Sequence, residues 1–266
     1  MSRFALVAGR QRHLRGWRKD RPDHRDYKLA EPSRRAPIAP RSDLRSRMPP
    51  VRDQGQLGSC TAETGCEQVE FLEGRGLQSR LRSVLFLYGF TRILEGTPLS
   101  DDSGAEMRDV MSALAKYGVC YEETWPYEPP MERFQLEPSA AAVAEAAEHK
   151  ALLYYRCASL RALRASLTQG FPVGFGFSVP ENMLSDACAA SGIVRLPSGT
   201  EGFDGGHAVT AVGHDDTMVI DGVPGALLCQ NHWSVAWGIQ GFFWLPYGFF
   251  DKGLADDPWT LRRARV

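Results

Sequence analysis

Asp53-Gln54-Gly55-Gln56-Leu57-Gly58-Ser59-Cys60-Thr61-Ala62 sets a thiol where a turn-rich stretch gives way to a helix. Beyond Ser59 the apolar residues Ala62, Cys66, Val69 and Leu72 recur at helical steps, ending near Gly74 or Gly76, so the spacing predicts a helix whose first turn carries Cys60. A thiol is nucleophilic only as the thiolate, and helix-terminal N–H groups with their partial positive charge stabilise that anion. An adjacent imidazolium lowers the thiol pKa further, so a site of this kind needs a histidine brought in from elsewhere in the fold. Taken alone, a buried cysteine at a helix start is usually an inert core thiol.

Two later segments supply candidates: Asp204-Gly205-Gly206-His207-Ala208-Val209, and Gln230-Asn231-His232-Trp233-Ser234-Val235-Ala236-Trp237-Gly238-Ile239-Gln240-Gly241-Phe242. With the Cys60 stretch they resemble the papain-like (C1) cysteine peptidases, whose motifs read Q-G-x-C-G-S-C-W, then x-H-A-V, then N-S-W-G-x-x-W-G. The resemblance runs from about Pro37 to the C-terminus, where Leu254-Ala255-Asp256-Asp257-Pro258-Trp259 is similar to the tail of disulfide-poor bacterial members. It implies Cys60 as nucleophile, His207 as acid/base, Asn231 as the residue that fixes the imidazole tautomer, and Gln54 in the oxyanion hole. It also implies that Trp233 shields the Asn–His hydrogen bond, that Gly58, Ser59 and Gly206 border the bound substrate, and that Gly104 is a ledge for the substrate backbone. The order Cys, His, Asn and separations of 147 and 24 positions fit that pattern.

Four departures border the site. Leu57 stands where most members have a disulfide cysteine, Thr61 replaces Trp, His232 replaces Ser and Ser234 replaces Gly. The six cysteines form no C-x-x-C pair, so we read Cys66, Cys120, Cys157, Cys188 and Cys229 as free core thiols. His13, His24, His149 and His214 are read as surface or structural. No metal or organic cofactor is implied.

The overall charge of −1 hides an asymmetry. Residues 1–50 carry 14 Arg and Lys against 5 Asp and Glu, whereas the remaining 216 residues carry 17 basic and 27 acidic side chains. Residues 1–36 lack apolar periodicity and read as an extended basic leader, which opposite charge would hold on the acidic body, partly in the cleft. In this chain that arm is expected to stand in place of the family's long helical pro-domain. A solvated leader and a nucleic-acid-binding arm are the other readings of the same charge; no aromatic interleaving supports the latter, and no nucleic-acid partner is expected. No apolar run reaches the roughly 20 residues of a membrane span, and Phe4–Gly9 is too short for a signal-peptide core. Neither a membrane nor export by the common route is therefore expected, and the expected location is the cytoplasm.

With 43% hydrophobic and 24% charged residues the chain has ordinary globular proportions. A second helix is predicted from Met107 to Tyr117 with Asp102 or Ser103 as N-cap and Gly118 as terminator, a third over Ala140–Ala151 and a fourth over Ser159–Gly170. From Phe171 the pattern changes: Val173, Phe175, Phe177 and Val179 alternate with small residues, and further strand-like runs follow at His207–Val212, Ala226–Gln230 and Gly241–Leu245. The expectation is an α+β chain of two lobes, helical over about 53–150 and β-barrel-like over about 151–266, with the active-site cleft between them and a peptide or protein as substrate. Two alternatives use the same residues. One is an isopeptidase or acyltransferase, in which an amine captures the thioester; the other is a non-catalytic binding protein whose arm fills the cleft.

Overall fold

The helical signal after Ser59 is realised as α1 (Cys60–Glu73), which Gly74 ends in the left-handed conformation at φ 73°. The computed structural model describes residues 4–7, 10–13, 16–30, 32–33 and 37–265, with side chains from Gly16 onward; the readings of His13 and of part of the basic leader fall outside these. α1 differs from an ordinary amphipathic surface helix in that every residue from Cys60 to Phe71 is buried, Glu63, Glu67 and Glu70 included. The reason is its place: it is the central helix, with one hydrophobic core on each side.

On one side, α2 (Val84–Leu94) and α3 (Met107–Lys116) pack against it through Val69, Phe86, Met107, Val110 and Leu114. α2 has no legible period because its residues are apolar nearly all round, and most of them are buried. The N-cap position of α3 is Glu106, which makes no side-chain cap bond, and not Asp102 or Ser103; Asp102 is turned toward Gly58 and Tyr88. The alanine-rich helix is shorter than expected, Ala140–Ala146.

On the other side lies a mostly antiparallel sheet. The leader contributes β1 (Phe4–Val7) paired with β2 (Arg10–His13), then β3 (Trp17–Arg18) and β4 (Lys28–Leu29), and β5 (Arg41–Asp43) follows. β6 (Ala105–Glu106) pairs with β3. The main sheet comprises β7 (Ala151–Cys157), β8 (Val173–Pro180), β9 (Phe203–Ile220), β10 (Val223–Gln230), β11 (Phe242–Pro246) and β12 (Ala255–Ala264). Its order among the described residues is β11-β10-β9-β8-β12-β7-β4, with β5 also on β9. The path is open, so the β lobe is a curved sheet and not a closed barrel. Its core is built from Phe175, Phe177, Val209, Leu227, Phe243 and Phe249, with Leu160–Thr168 packed behind, capped by the Ser159 hydroxyl.

All six cysteines are buried, and none is in a disulfide. No helix among the described residues is long and apolar enough to cross a membrane. Gly118 stops α3 at φ +81°, and a Cβ there would stand 1.9 Å from the Ala146 carbonyl oxygen. Gly118→Ala therefore combines a left-handed backbone with a clash against main chain, and thermal unfolding is expected to show a loss of about 2–4 kcal/mol.

Candidate active site

Cys60 opens α1, and the N-cap Ser59 makes no side-chain cap bond to the helix. Its hydroxyl instead meets Tyr127 Oη at 3.0 Å, while Tyr127 Oη donates to the Gln54 carbonyl at 2.7 Å. The first N–H groups of α1 thus keep their electrostatic influence for the thiol. The preceding loop is held by Asp102, whose carboxylate accepts from Gly58 N at 3.1 Å and from Tyr88 Oη at 2.6 Å. Tyr88, Asp102 and Tyr127 had no sequence motif to announce them as scaffolding for this loop; each acts across a long stretch of chain.

His207 sits within β9, paired with Phe177 of β8, and Asn231 follows the end of β10. His207 Nε2 and Asn231 Oδ1 are 2.8 Å apart, both side chains wholly buried. Asn231 Oδ1 also accepts from the His232 backbone N–H at 2.9 Å. Because a main-chain N–H can only donate, the atom facing it is the amide oxygen, and His207 Nε2 must carry the proton it shares with that oxygen. Nδ1 is then the ring atom that can take a proton. The Trp233 indole stacks on the imidazole, centroids 4.9 Å apart at 25°, and Trp237 closes edge-on against Trp233 at 5.1 Å. Water is kept from the Asn231–His207 bond by these two rings.

Cys60 meets β9 through the residue after His207: Ala208 N donates to Cys60 Sγ at 3.3 Å. Gln54 is buried, its Nε2 donating to the Leu57 carbonyl at 2.9 Å and its backbone N–H to the His232 carbonyl at 2.9 Å. That leaves one amide hydrogen of Gln54 for a second acceptor. Gly104 is placed differently from a substrate ledge. Its N–H donates to Tyr88 Oη at 3.0 Å, and the main-chain donor that meets a neighbouring strand is Ala105 N, bonded to the Gly16 carbonyl at 2.9 Å. The positive φ of Gly104, 70°, turns its own N–H away from that strand.

The neighbouring strand is the chain's own arm. β3 runs parallel to β6, Trp17 opposite Ala105, and the backbone crosses directly over the thiol: a Cβ built on Gly16 would lie 2.5 Å from Cys60 Sγ and 2.9 Å from the Gly58 carbonyl oxygen. Only glycine fits there. Trp17 covers two more glycines, since a Cβ on Gly176 would be 2.0 Å from its ring and one on Gly206 2.5 Å from its carbonyl oxygen. Beyond Trp17, Arg18 meets Glu95, Lys19 meets Asp256 at 2.7 Å and the Arg21 guanidinium lies 3.6 Å from Glu106, whose carboxylate also accepts from the Arg21 main-chain N–H at 3.1 Å. The polarity then reverses: Asp26 is bound by Arg108 at 2.7 Å, and Asp20 accepts from Trp259 Nε1 at 2.8 Å. Gly16 went unnoticed in the sequence because its role is set by a contact 44 residues away with Cys60.

With the arm in place Cys60 is 0% exposed. Burial pushes its thiol up to about 12, against the Ala208 and Thr61 N–H groups, which favour the thiolate. Among the described residues no group of three or more His, Cys, Asp and Glu is arranged to hold a metal ion.

Residues 38–257 match the family model described as papain family cysteine protease. Over 227 residues the chain is 34% identical to an uncharacterised peptidase C1-like protein of Acanthamoeba polyphaga mimivirus, covering 80% of this chain and 69% of that one. The crystal structure of xylellain, a cysteine protease from Xylella fastidiosa, superposes with a TM-score of 0.83 at 31% identity, covering 98% of both chains. A procathepsin B of Trypanosoma congolense, 16% identical, shares the fold, with a TM-score of 0.71 over 94% of this chain and 86% of that one.

Proposed function

We propose that this chain, which belongs to the papain family of cysteine proteases and is a peptidase, acts as an endopeptidase through a thioester on Cys60 and is gated by its own arm. Cys60 Sγ attacks the scissile carbonyl carbon as its proton passes to His207 Nδ1. The Cys60 N–H and the remaining Gln54 amide hydrogen would donate to the oxyanion, where one such donor is worth about 3–4 kcal/mol in other enzymes. His207 then gives the proton to the leaving amine. Water, activated by the same imidazole, attacks the thioester carbonyl and frees the acid and the thiol. Asn231, fixed by the His232 N–H, keeps Nδ1 directed at the sulfur throughout.

The observation that carries the gated reading is the absence of room for a side chain between Gly16 and Cys60 Sγ. A peptide substrate and the docked arm cannot occupy that space together. With the arm docked the thiol is wholly buried, and burial pushes it up to about 12. The isopeptidase and acyltransferase alternative keeps the same thioester and differs only in the nucleophile that resolves it; an added amine that appears in the product would favour it.

Turnover of a mixed fluorogenic peptide library under reducing conditions tests the proposal with four proteins: the full chain, the chain lacking residues 1–18, Gly16→Val and Cys60→Ala. Turnover is expected to rise about tenfold or more on truncation and in Gly16→Val, since relieving a covered site restores the competent fraction, and to vanish in Cys60→Ala. Equal turnover by the first three would remove the gate while leaving the peptidase. Silence in all four folded proteins would favour a binding role.

A further inference from the structure

One carboxylate joins the helix of the nucleophile to both strands that carry its partners. Glu67 lies seven residues beyond Cys60 on α1, which sets the two on the same face two turns apart. It is wholly buried. Its Oε2 accepts from Thr210 Oγ1 at 2.5 Å, three residues after His207 on β9. Its Oε1 accepts from Gln230 Nε2 at 2.8 Å and stands 3.1 Å from His232 Nε2. Gln230 and His232 are the residues on either side of Asn231.

A carboxylate taken out of water in the middle of a protein is costly unless its oxygens are fully engaged. Apolar packing at the same point would hold the lobes together but tolerate small slips, whereas hydrogen bonds are directional and fix register. Other charges on this face are already engaged: Arg52 lies 3.5 Å from Glu63 and also meets Glu70, and Arg82 meets Glu73. Glu67 is therefore left to its three β-lobe partners, with the His207 ring 6.0 Å beyond that of His232.

We propose that Glu67 is a positioning residue, whose carboxylate sets the placement of the Cys60 thiol relative to the His207–Asn231 pair through its hydrogen bonds to Thr210 and Gln230 and its close approach to His232, across the junction of the lobes. This rests on the catalytic reading of Cys60, His207 and Asn231. It also accounts for His232, the substitution beside Asn231 that otherwise has no function: the imidazole reaches Glu67, and its backbone N–H orients the Asn231 amide.

The test compares Glu67→Gln and Thr210→Val in the Gly16→Val background, reading kcat and KM separately and the pH dependence of Cys60 alkylation by iodoacetamide. Misplacement of reacting groups by a fraction of an ångström to an ångström is expected to lower kcat about 10- to 100-fold in Glu67→Gln, with KM within about twofold. The acid limb of alkylation, which reports the thiolate–imidazolium pair, is expected to move up by about one pH unit. Thr210→Val removes one of the three contacts and leaves the carboxylate, so it shows the same pattern in smaller degree and covers the case of a Gln variant that does not fold. An unshifted alkylation profile with unchanged kcat would overturn the proposal. So would a loss of activity matched by loss of folded protein, with the profile of the folded remainder unmoved. Alkylation needs no peptide substrate, so the positioning role is read out even if peptide turnover by the parent protein fails to appear.

Discussion

Replacing Cys60 by alanine is expected to lower kcat/KM by about 10⁴- to 10⁶-fold, replacing His207 by alanine to match it, and the double variant to lose no more than either alone. The reason is that in the proposed mechanism the two groups act as a unit. Without the imidazole nothing beside the thiol takes its proton; without the thiol the imidazole has nothing to activate. Asn231→Ala removes only the orienting bond at 2.8 Å, so a smaller loss, about 10- to 10³-fold, is expected. Steady-state turnover of one fluorogenic peptide by the four proteins, each folded by circular dichroism, checks the set. Additive losses in the double variant would mean that Cys60 and His207 do not share a step.

The residues of that unit were readable because their signals are local. A helix start after Ser59, a Gly-Gly-His-Ala-Val strand and a Trp-rich turn after Asn231 each announce themselves within a few positions, and the family resemblance ties them together. What the sequence did not disclose depends on contacts between distant segments. α2 is hidden because a helix that is apolar on nearly every face has no polar face to set a period. β7 and β12 were missed since β7 alternates weakly and β12 is broken by Asp256, Asp257 and Pro258, with register shifts along its pairing with both neighbours. Asp102 was read as a helix cap on the strength of its position before Met107, and it serves the Cys60 loop instead. Glu63, Glu67 and Glu70 look like the solvent face of an amphipathic helix; they are buried because α1 lies between two cores. The cleft residue Gly104 sits one step from the strand pairing that the resemblance led us to place on it.

The arm's grip is expected to weaken as pH rises from about 4 to about 7, so that the activity ratio of the full chain to the chain lacking residues 1–18 climbs across that range. The cause lies in Asp20. Its side chain is buried against Asp257, whose own carboxylate accepts from the Asp20 N–H at 2.7 Å and is bound by Arg156 at 2.8 Å. Asp257 adopts φ 56°, a conformation disfavoured for a non-glycine residue, to make that contact. Burial, and then the charge of Asp257, push the Asp20 carboxyl up to about 7, against the Arg108 N–H and the Trp259 indole; the two carboxyls titrate as a pair. Once the arm lifts, Asp20 returns to the ordinary 3.8. A group whose docked pKa is raised stabilises docking fully below the free value and loses that contribution as pH rises through the docked one. Two contacts pull the other way. Asp256, which burial would raise, is held below the usual carboxylate range by Lys19, and that contact is lost only as pH falls toward and below 4. Glu95, pushed up to about 7 by burial and lowered by the Glu106 N–H and Arg18, gains charge against Arg18 within the window and offsets part of the Asp20 effect. Allowing for solvent screening, the expected change in the ratio is about tenfold or more. Taking a ratio of two proteins at each pH cancels the titration of Cys60 and His207, which both share. Asp20→Asn is expected to flatten the dependence by fixing the arm in its low-pH mode, and a slope that persists in that variant would assign the effect to another group.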